Sequence, residues 1–251
     1  MEAECRYRAT VEYDGTDFLG YQIQAEGRTV QGEIEKSLRR VTQSAIRIDG
    51  AGRTDAGVHA TGQVIAFNAM WRHTLKDLHR ALNATLPPDI VISDLKPATP
   101  DFHPRYQALS RTYEYRILNQ HWPDVLQRRY AHHVSQPLNL NTMNQAGLML
   151  IGFQDFASFG KPPRGNNSMR NVLEANWSAI NGNQLVFRIT ANAFLYRMVR
   201  TIVGTLIAVG LGRLAVGEVK KILNAKDLTQ SAPPAPAHGL CLVSVTYPEG
   251  L

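Results

Sequence analysis

Cysteine is almost missing. Cys5 and Cys241 are the two in 251 residues, too few and too far apart for a disulfide framework or a zinc knuckle. Long apolar runs are missing too. The most apolar stretch, Thr201 to Gly212 (TIVGTLIAVGLG), is bracketed by Arg200 and Arg213 and is too short to cross a bilayer. The opening MEAECRYRAT lacks the apolar core of a secretory signal. A cytoplasmic protein with no membrane partner is expected. There is no Walker A loop and no G-x-S-x-G elbow. GLGRLA (Gly210 to Ala215) has the glycines of a dinucleotide fingerprint, but it follows a helical pattern where that motif needs a strand. His132 and His133 are adjacent, which is not the helical spacing of a metal pair.

What is present is an ordinary globular composition, 44% hydrophobic and 19% charged, with length enough for a sizeable core. Acidic residues are outnumbered. The net charge is +6 and the pI about 9.4, a balance that suits a polyanionic partner without requiring one.

Periodicity marks the elements. Tyr7, Ala9, Val11 and Tyr13 alternate with Arg6, Arg8, Thr10 and Glu12, which predicts a half-buried strand. A polar loop with three glycines follows. Thr29 is then placed to cap a helix whose Val30, Ile34, Leu38 and Val41 share one face. Short strands are expected at Ile46 to Ile48 and Gln63 to Asn68, and a helix at Leu75 to Asn83. KPATPDFHPRY carries prolines at 97, 100 and 104 and reads as an extended linker. The expected domains are therefore 1–104 and 105–251. Beyond it, strands are predicted at Arg111 to Leu118, Gln184 to Thr190 and Leu240 to Tyr247. Helices are predicted from Leu140, over Ala193 to Val209, and near Val216 to Leu223. The interleaving gives a mixed α/β or α+β class.

Three constellations carry chemistry. The first is GRTDAGVHATGQV, Gly52 to Val64, predicted as a loop between two strands. Asp55 there is either a turn residue or a reactive carboxylate, with Arg53 and His59 close by and glycines that let backbone approach a ligand. The second is NAFLYRMVRTIVG, Asn192 to Gly204, an apolar helical pattern with Arg197 and Arg200 three apart. Arg200, flanked by Met198, Val199, Ile202 and Val203, needs a carboxylate partner; Asp55 is a candidate, and a purely structural ion pair is the alternative. The third is FHPRYQALSRTYEYRI, Phe102 to Ile117, which interleaves arginines with Tyr106, Tyr113 and Tyr115. It suits phosphates and stacked bases, or a strand with core tyrosines and a solvated basic face.

Taken in order, these segments resemble the tRNA pseudouridine synthase A family nearly end to end. YDGTDFLGYQIQAEGRTVQGEIEKSL, GRTDAGVHATGQV, LNATLPPDI, FHPRYQALSRTYEYRI, FQDFASF, NAFLYRMVRTIVG and PAHGLCLVSVTYP carry the likeness. Tyr21, Pro104 and Gln154 stand where the family more often has Trp, Ala and His. The resemblance implies a fold of two α/β halves around a central mixed, largely antiparallel sheet, with a basic cleft between them. It implies a homodimer without metal or organic cofactor, turning uridine into pseudouridine at positions 38, 39 and 40 of the tRNA anticodon arm. It makes Asp55 the nucleophile or base on a flipped-out uridine, Arg200 its partner, and Tyr113 the ring stacked on the target. Arg53 would hold the nucleotide out of the stack. Phe102, His103, Arg105 and Tyr106, with Arg164 in the basic loop FASFGKPPRGNNSMRNV, would complete the substrate contacts. A glycosylase that releases the base, and an RNA-binding or RNA-folding protein without turnover, are the alternatives.

Overall fold

The structure is a computed structural model and describes residues 4–162 and 165–250. It divides into two compact units, Met1–Leu109 with Leu242–Leu251, and Ser110–Cys241.

In the first unit the chain runs through β1 (Cys5–Tyr13), α1 (Val30–Thr42), β2 (Asp49–Gly50), β3 (His59–Ala69), α2 (Leu75–Thr85) and β4 (Ile90–Pro97). Strand β1 pairs antiparallel with β3 and with β4; Ala9 lies opposite Ile65 and Val11 opposite Ile92. The predicted alternation holds, with Tyr7, Ala9, Val11 and Tyr13 all buried. Helix α1 begins as predicted: the Thr29 hydroxyl accepts the Gly32 N–H. Its buried Ile34 and Leu38 face inward, and the Ser37 hydroxyl joins it to α2 through Thr85 at 2.6 Å. Asn83 ties α2 to β4 by exchanging two hydrogen bonds with the Ile92 backbone, at 2.8 and 2.9 Å.

Two readings change here. The strand expected at Ile46 to Ile48 forms instead at Asp49 and Gly50, opposite Ala66 and Ile65. Strand β4 was not predicted; the prolines on either side of IVISDL broke up a short pattern in which Ile90, Ile92 and Leu95 are buried.

The second unit holds β5 (Ser110–Asn119), β6 (His132–Val134), α3 (Leu140–Leu148), β7 (Gly152–Asp155), β8 (Met169–Ile180), β9 (Gln184–Ala191), α4 (Met198–Gly210) and α5 (Glu218–Ala225). Strands β5, β9, β8 and β7 neighbour one another in that order, all antiparallel, while β6 is parallel to β5. Ile189 of β9 lies opposite Tyr113 on one side and Ala175 on the other. Asn144 of α3 exchanges two hydrogen bonds with the Trp177 backbone of β8. The last strand, β10 (Leu240–Thr246), spans the division between the units. The fold is mixed α/β.

Strand β8 also escaped the sequence. Its register shifts between Val172 and Glu174. That bulge moves the buried positions from Val172 to Ala175 and Trp177 and breaks the period of two on which strand recognition depends. Helix α4 is shorter than predicted. The Tyr196 N–H donates to the Lys161 carbonyl at 2.9 Å, and Arg197 turns left-handed at φ 61°. The chain is thus extended up to Tyr196, and Arg197 and Arg200 do not share a helical face.

Gly62 of β3 shows how closely β10 approaches. A Cβ there would lie 2.2 Å from the Val243 carbonyl oxygen, so backbone would have to move. Gly62→Ala is expected to destabilise the protein by about 1–3 kcal/mol, read as a lower denaturant midpoint. Gly52→Ala, where nothing lies within 4 Å, should leave the midpoint nearly unchanged.

Candidate active site

Asp55 lies on the short connection between β2 and β3. The start of that connection is tied down twice. The Ala51 N–H donates to the Val64 carbonyl at 2.8 Å, and the buried Gln63 amide donates to the Gly52 carbonyl at 2.9 Å. The Val58 N–H closes the turn onto the Asp55 carbonyl at 3.1 Å, with Gly57 left-handed at φ 77°. Strand β3 begins at His59, so the second half of GRTDAGVHATGQV is strand, not loop.

The loop after β1 is laced against this connection. The Tyr21 N–H donates to the Thr54 carbonyl at 3.1 Å, and the Tyr13 hydroxyl meets the Thr54 hydroxyl at 2.7 Å. Two glycines make the approach possible. A Cβ on Gly15 would lie 2.0 Å from the Val58 carbonyl oxygen, and one on Gly20 2.8 Å from that of Thr54. The Gly15 N–H donates to Nδ1 of His59 at 3.0 Å. A backbone N–H only donates, so the ring that accepts it is neutral at Nδ1 and carries its proton on Nε2. Oδ1 of Asp14 lies 3.2 Å from the same nitrogen and takes its protons from the Thr16 N–H and hydroxyl. His59 is therefore buried frame. Asp55 itself is partly exposed and Arg53 exposed, on a backbone held by these bonds.

The segment after β4 belongs to the same unit. Phe102, expected among the substrate contacts, is 1% exposed and packs into a core with Ala51, Val64 and Ala66. The Arg8 guanidinium lies 4.8 Å from the Phe102 ring centroid and 5.0 Å from that of Tyr247. The Tyr247 hydroxyl donates to the Pro104 carbonyl at 2.7 Å. Phe102 thus anchors the segment, and His103, Arg105 and Tyr106 project from it. The His103 and Tyr106 rings lie 4.2 Å apart, and His103 Nδ1 accepts the Arg105 N–H. Tyr106 is 76% exposed. Of the residues that depart from the family pattern, Pro104 and Gln154 have evident structural work: Gln154 bonds the Met149 and Ile151 carbonyls and accepts from Lys220.

The second unit holds Tyr113 and Arg200. Tyr113 is 9% exposed, and the Phe194 ring stands edge-on to it with centroids 5.1 Å apart. Two residues along the same face of β5, burial pushes the Tyr115 phenol well above its ordinary range, and the Arg200 charge pulls it partly back. The Tyr115 hydroxyl donates to the Pro236 carbonyl at 2.9 Å. Arg200 sits in the first turn of α4, half-buried; its Nε donates to the Ala235 carbonyl at 2.8 Å, and its own carbonyl accepts the Ala235 N–H. Strand β5 and the run leading into α4 thus bring Tyr113, Tyr115, Phe194 and Arg200 into one neighbourhood. Arg111 is buried and donates to the Asn192 carbonyl, which removes it from the basic face that FHPRYQALSRTYEYRI suggested. Arg164 lies outside the described residues. Ser168 and Lys226 both engage Asp155, at one end of the basic loop, and hold its carboxyl below the usual range, the Ser168 hydrogen bond most of all. Among the described residues no group of three or more His, Cys, Asp or Glu is placed to hold a metal ion.

A family profile described as tRNA pseudouridine synthase matches residues 9–107 and 146–248. The chain belongs to the tRNA pseudouridine synthase family. Relatives named tRNA pseudouridine synthase A agree. The one from Moorella thermoacetica is 44% identical over 245 residues, 96% of this chain and 98% of its own. The one from Bacillus subtilis is 42% identical over 96% of this chain and 99% of its own. The Halalkalibacterium halodurans relative is 42% identical over 92% and 88%. The matched segments of the synthase contain Asp55 and Arg200, while Tyr113 falls in the interval between them. The supporting residues Gly15, Gly20, Thr54 and Phe194 were not singled out from sequence. The only signal was the glycine count of DGTDFLGYQ, because close backbone approach leaves no pattern of its own.

His59→Ala would strip the Gly15 N–H of its buried acceptor, at a cost of about 1–3 kcal/mol. The denaturant midpoint of this synthase variant should fall accordingly; an unchanged midpoint would show that the frame does not depend on that bond.

Proposed function

We propose that this chain isomerises uridine to pseudouridine at positions 38, 39 and 40 of the tRNA anticodon stem-loop, working in the cytoplasm as a homodimer with no metal or organic cofactor. Family membership supplies the reaction. The observation that carries the residue assignment is a partly exposed carboxylate, Asp55, on a connection whose backbone is pinned from both sides. Preorganisation of that kind suits a group that must meet one atom of a bound nucleotide.

The reaction breaks the N-glycosidic bond, turns the uracil and joins its C5 to the ribose. The uridine first leaves the helical stack, which costs a few kcal/mol. Stacking on Tyr113 returns about 1–3 kcal/mol of this. Asp55 attacks the ribose or the base, or removes a sugar proton, and each route needs it ionised. Arg200 is assigned as the cation of this chemistry, since a guanidinium stays charged throughout the neutral range. Arg53 holds the nucleotide out of the stack. Arg105, Arg164, His103 and Tyr106 meet the surrounding backbone, while Phe102 acts from the core by fixing their segment. Most of the affinity comes from phosphates and is therefore steeply salt-dependent.

Incubation with unmodified tRNA should convert uridine to pseudouridine with no change in RNA mass. Loss of a base mass would indicate a glycosylase. Tight tRNA binding without product would indicate an RNA-binding or RNA-folding protein.

A further inference from the structure

Tyr196 is a large ring left half in solvent, 51% exposed. Its backbone forms an isolated antiparallel bridge with Lys161. Arg197 follows at φ 61°, ψ 7°, a left-handed conformation that only Gly, Asn and Asp adopt readily. Its guanidinium lies 5.0 Å from the Tyr196 ring centroid. Lys161 and Arg197 are both exposed, and among the described residues neither has a carboxylate partner. Leu195 is 4% exposed, so alternation along this extended run sets Phe194 and Tyr196 on the opposite side. Phe194 is the ring that stands against Tyr113. The run thus carries one ring at Tyr113 and a second, more exposed ring beside two cations that have no carboxylate partner among the described residues. The core has no use for the second ring, and a structural turn at position 197 would be less strained with glycine.

We propose that Lys161, Tyr196 and Arg197 form a second nucleotide subsite, in which Tyr196 stacks on a base neighbouring the flipped uridine and the two cations hold the flanking phosphates. The subsite rests on the reading of this chain as a tRNA uridine isomerase with Tyr113 at the target base. Every base has a π-face, so such a stack is blind to sequence, which suits an enzyme acting at consecutive positions.

The test uses three variants with unmodified tRNA. Tyr196→Ala should raise KM about tenfold with little change in kcat, and Tyr196→Phe should behave as wild type. Arg197→Asn, which tolerates the left-handed backbone, should lower the slope of log Kd against log salt by about one. Thermal midpoints should match wild type, because both side chains are exposed. A wild type that makes no pseudouridine overturns the functional reading and the subsite with it. An active wild type whose Tyr196→Ala and Arg197→Asn variants keep its KM and salt slope overturns the subsite alone.

Discussion

The first unit depends on a backbone contact that no side chain could share. Gly15 lies so close to the Val58 carbonyl that a single methyl would collide with it, and its N–H finds its acceptor on buried His59. That approach seats the loop after β1 against the connection bearing Asp55. Gly20, Tyr21 and Tyr13 then engage Thr54, the residue immediately before Asp55. The carboxylate is consequently carried by a frame with little freedom to shift. A catalytic carboxylate needs that, because a displacement of about 1 Å can cost a hundredfold in rate.

The second unit uses side chains for the same end. Tyr113 and Tyr115 share a face of β5, and the segment from Phe194 to Arg200 lies along that face. Arg200 is clamped by a two-way exchange with Ala235, its Nε donating to the Ala235 carbonyl and its own carbonyl accepting the Ala235 N–H. The proposed chemistry asks for nothing beyond a carboxylate, a permanent cation and a ring.

Much of this was legible in the sequence where one local rule acted alone. The alternation of Tyr7 to Tyr13, the Thr29 cap and the apolar face of α1 appear in the structure as read. Asp55, Arg200 and Tyr113 were picked out by charge in an apolar run, by glycine context and by family likeness. Illegible parts were those in which two rules conflict. The bulge at Val172 hid β8, prolines hid β4, and the strained Arg197 ended what read as continuous helix. Phe102 was expected among the substrate contacts and lies in the core; aromatic residues next to arginine look alike in sequence whether they face solvent or core, and only burial separates them. His59 was visible, but its partner Gly15 is 44 positions away, and a side chain to backbone bond of that separation leaves no trace in spacing.

The central claim is that Asp55 performs the chemistry while the rest of the chain binds and positions the RNA. Asp55→Ala, compared with wild type for single-turnover pseudouridine formation and for tRNA affinity in the same buffer, tests it most directly. The account predicts no detectable turnover with affinity within a few-fold of wild type. Pseudouridine formation at the wild-type rate by Asp55→Ala would contradict it.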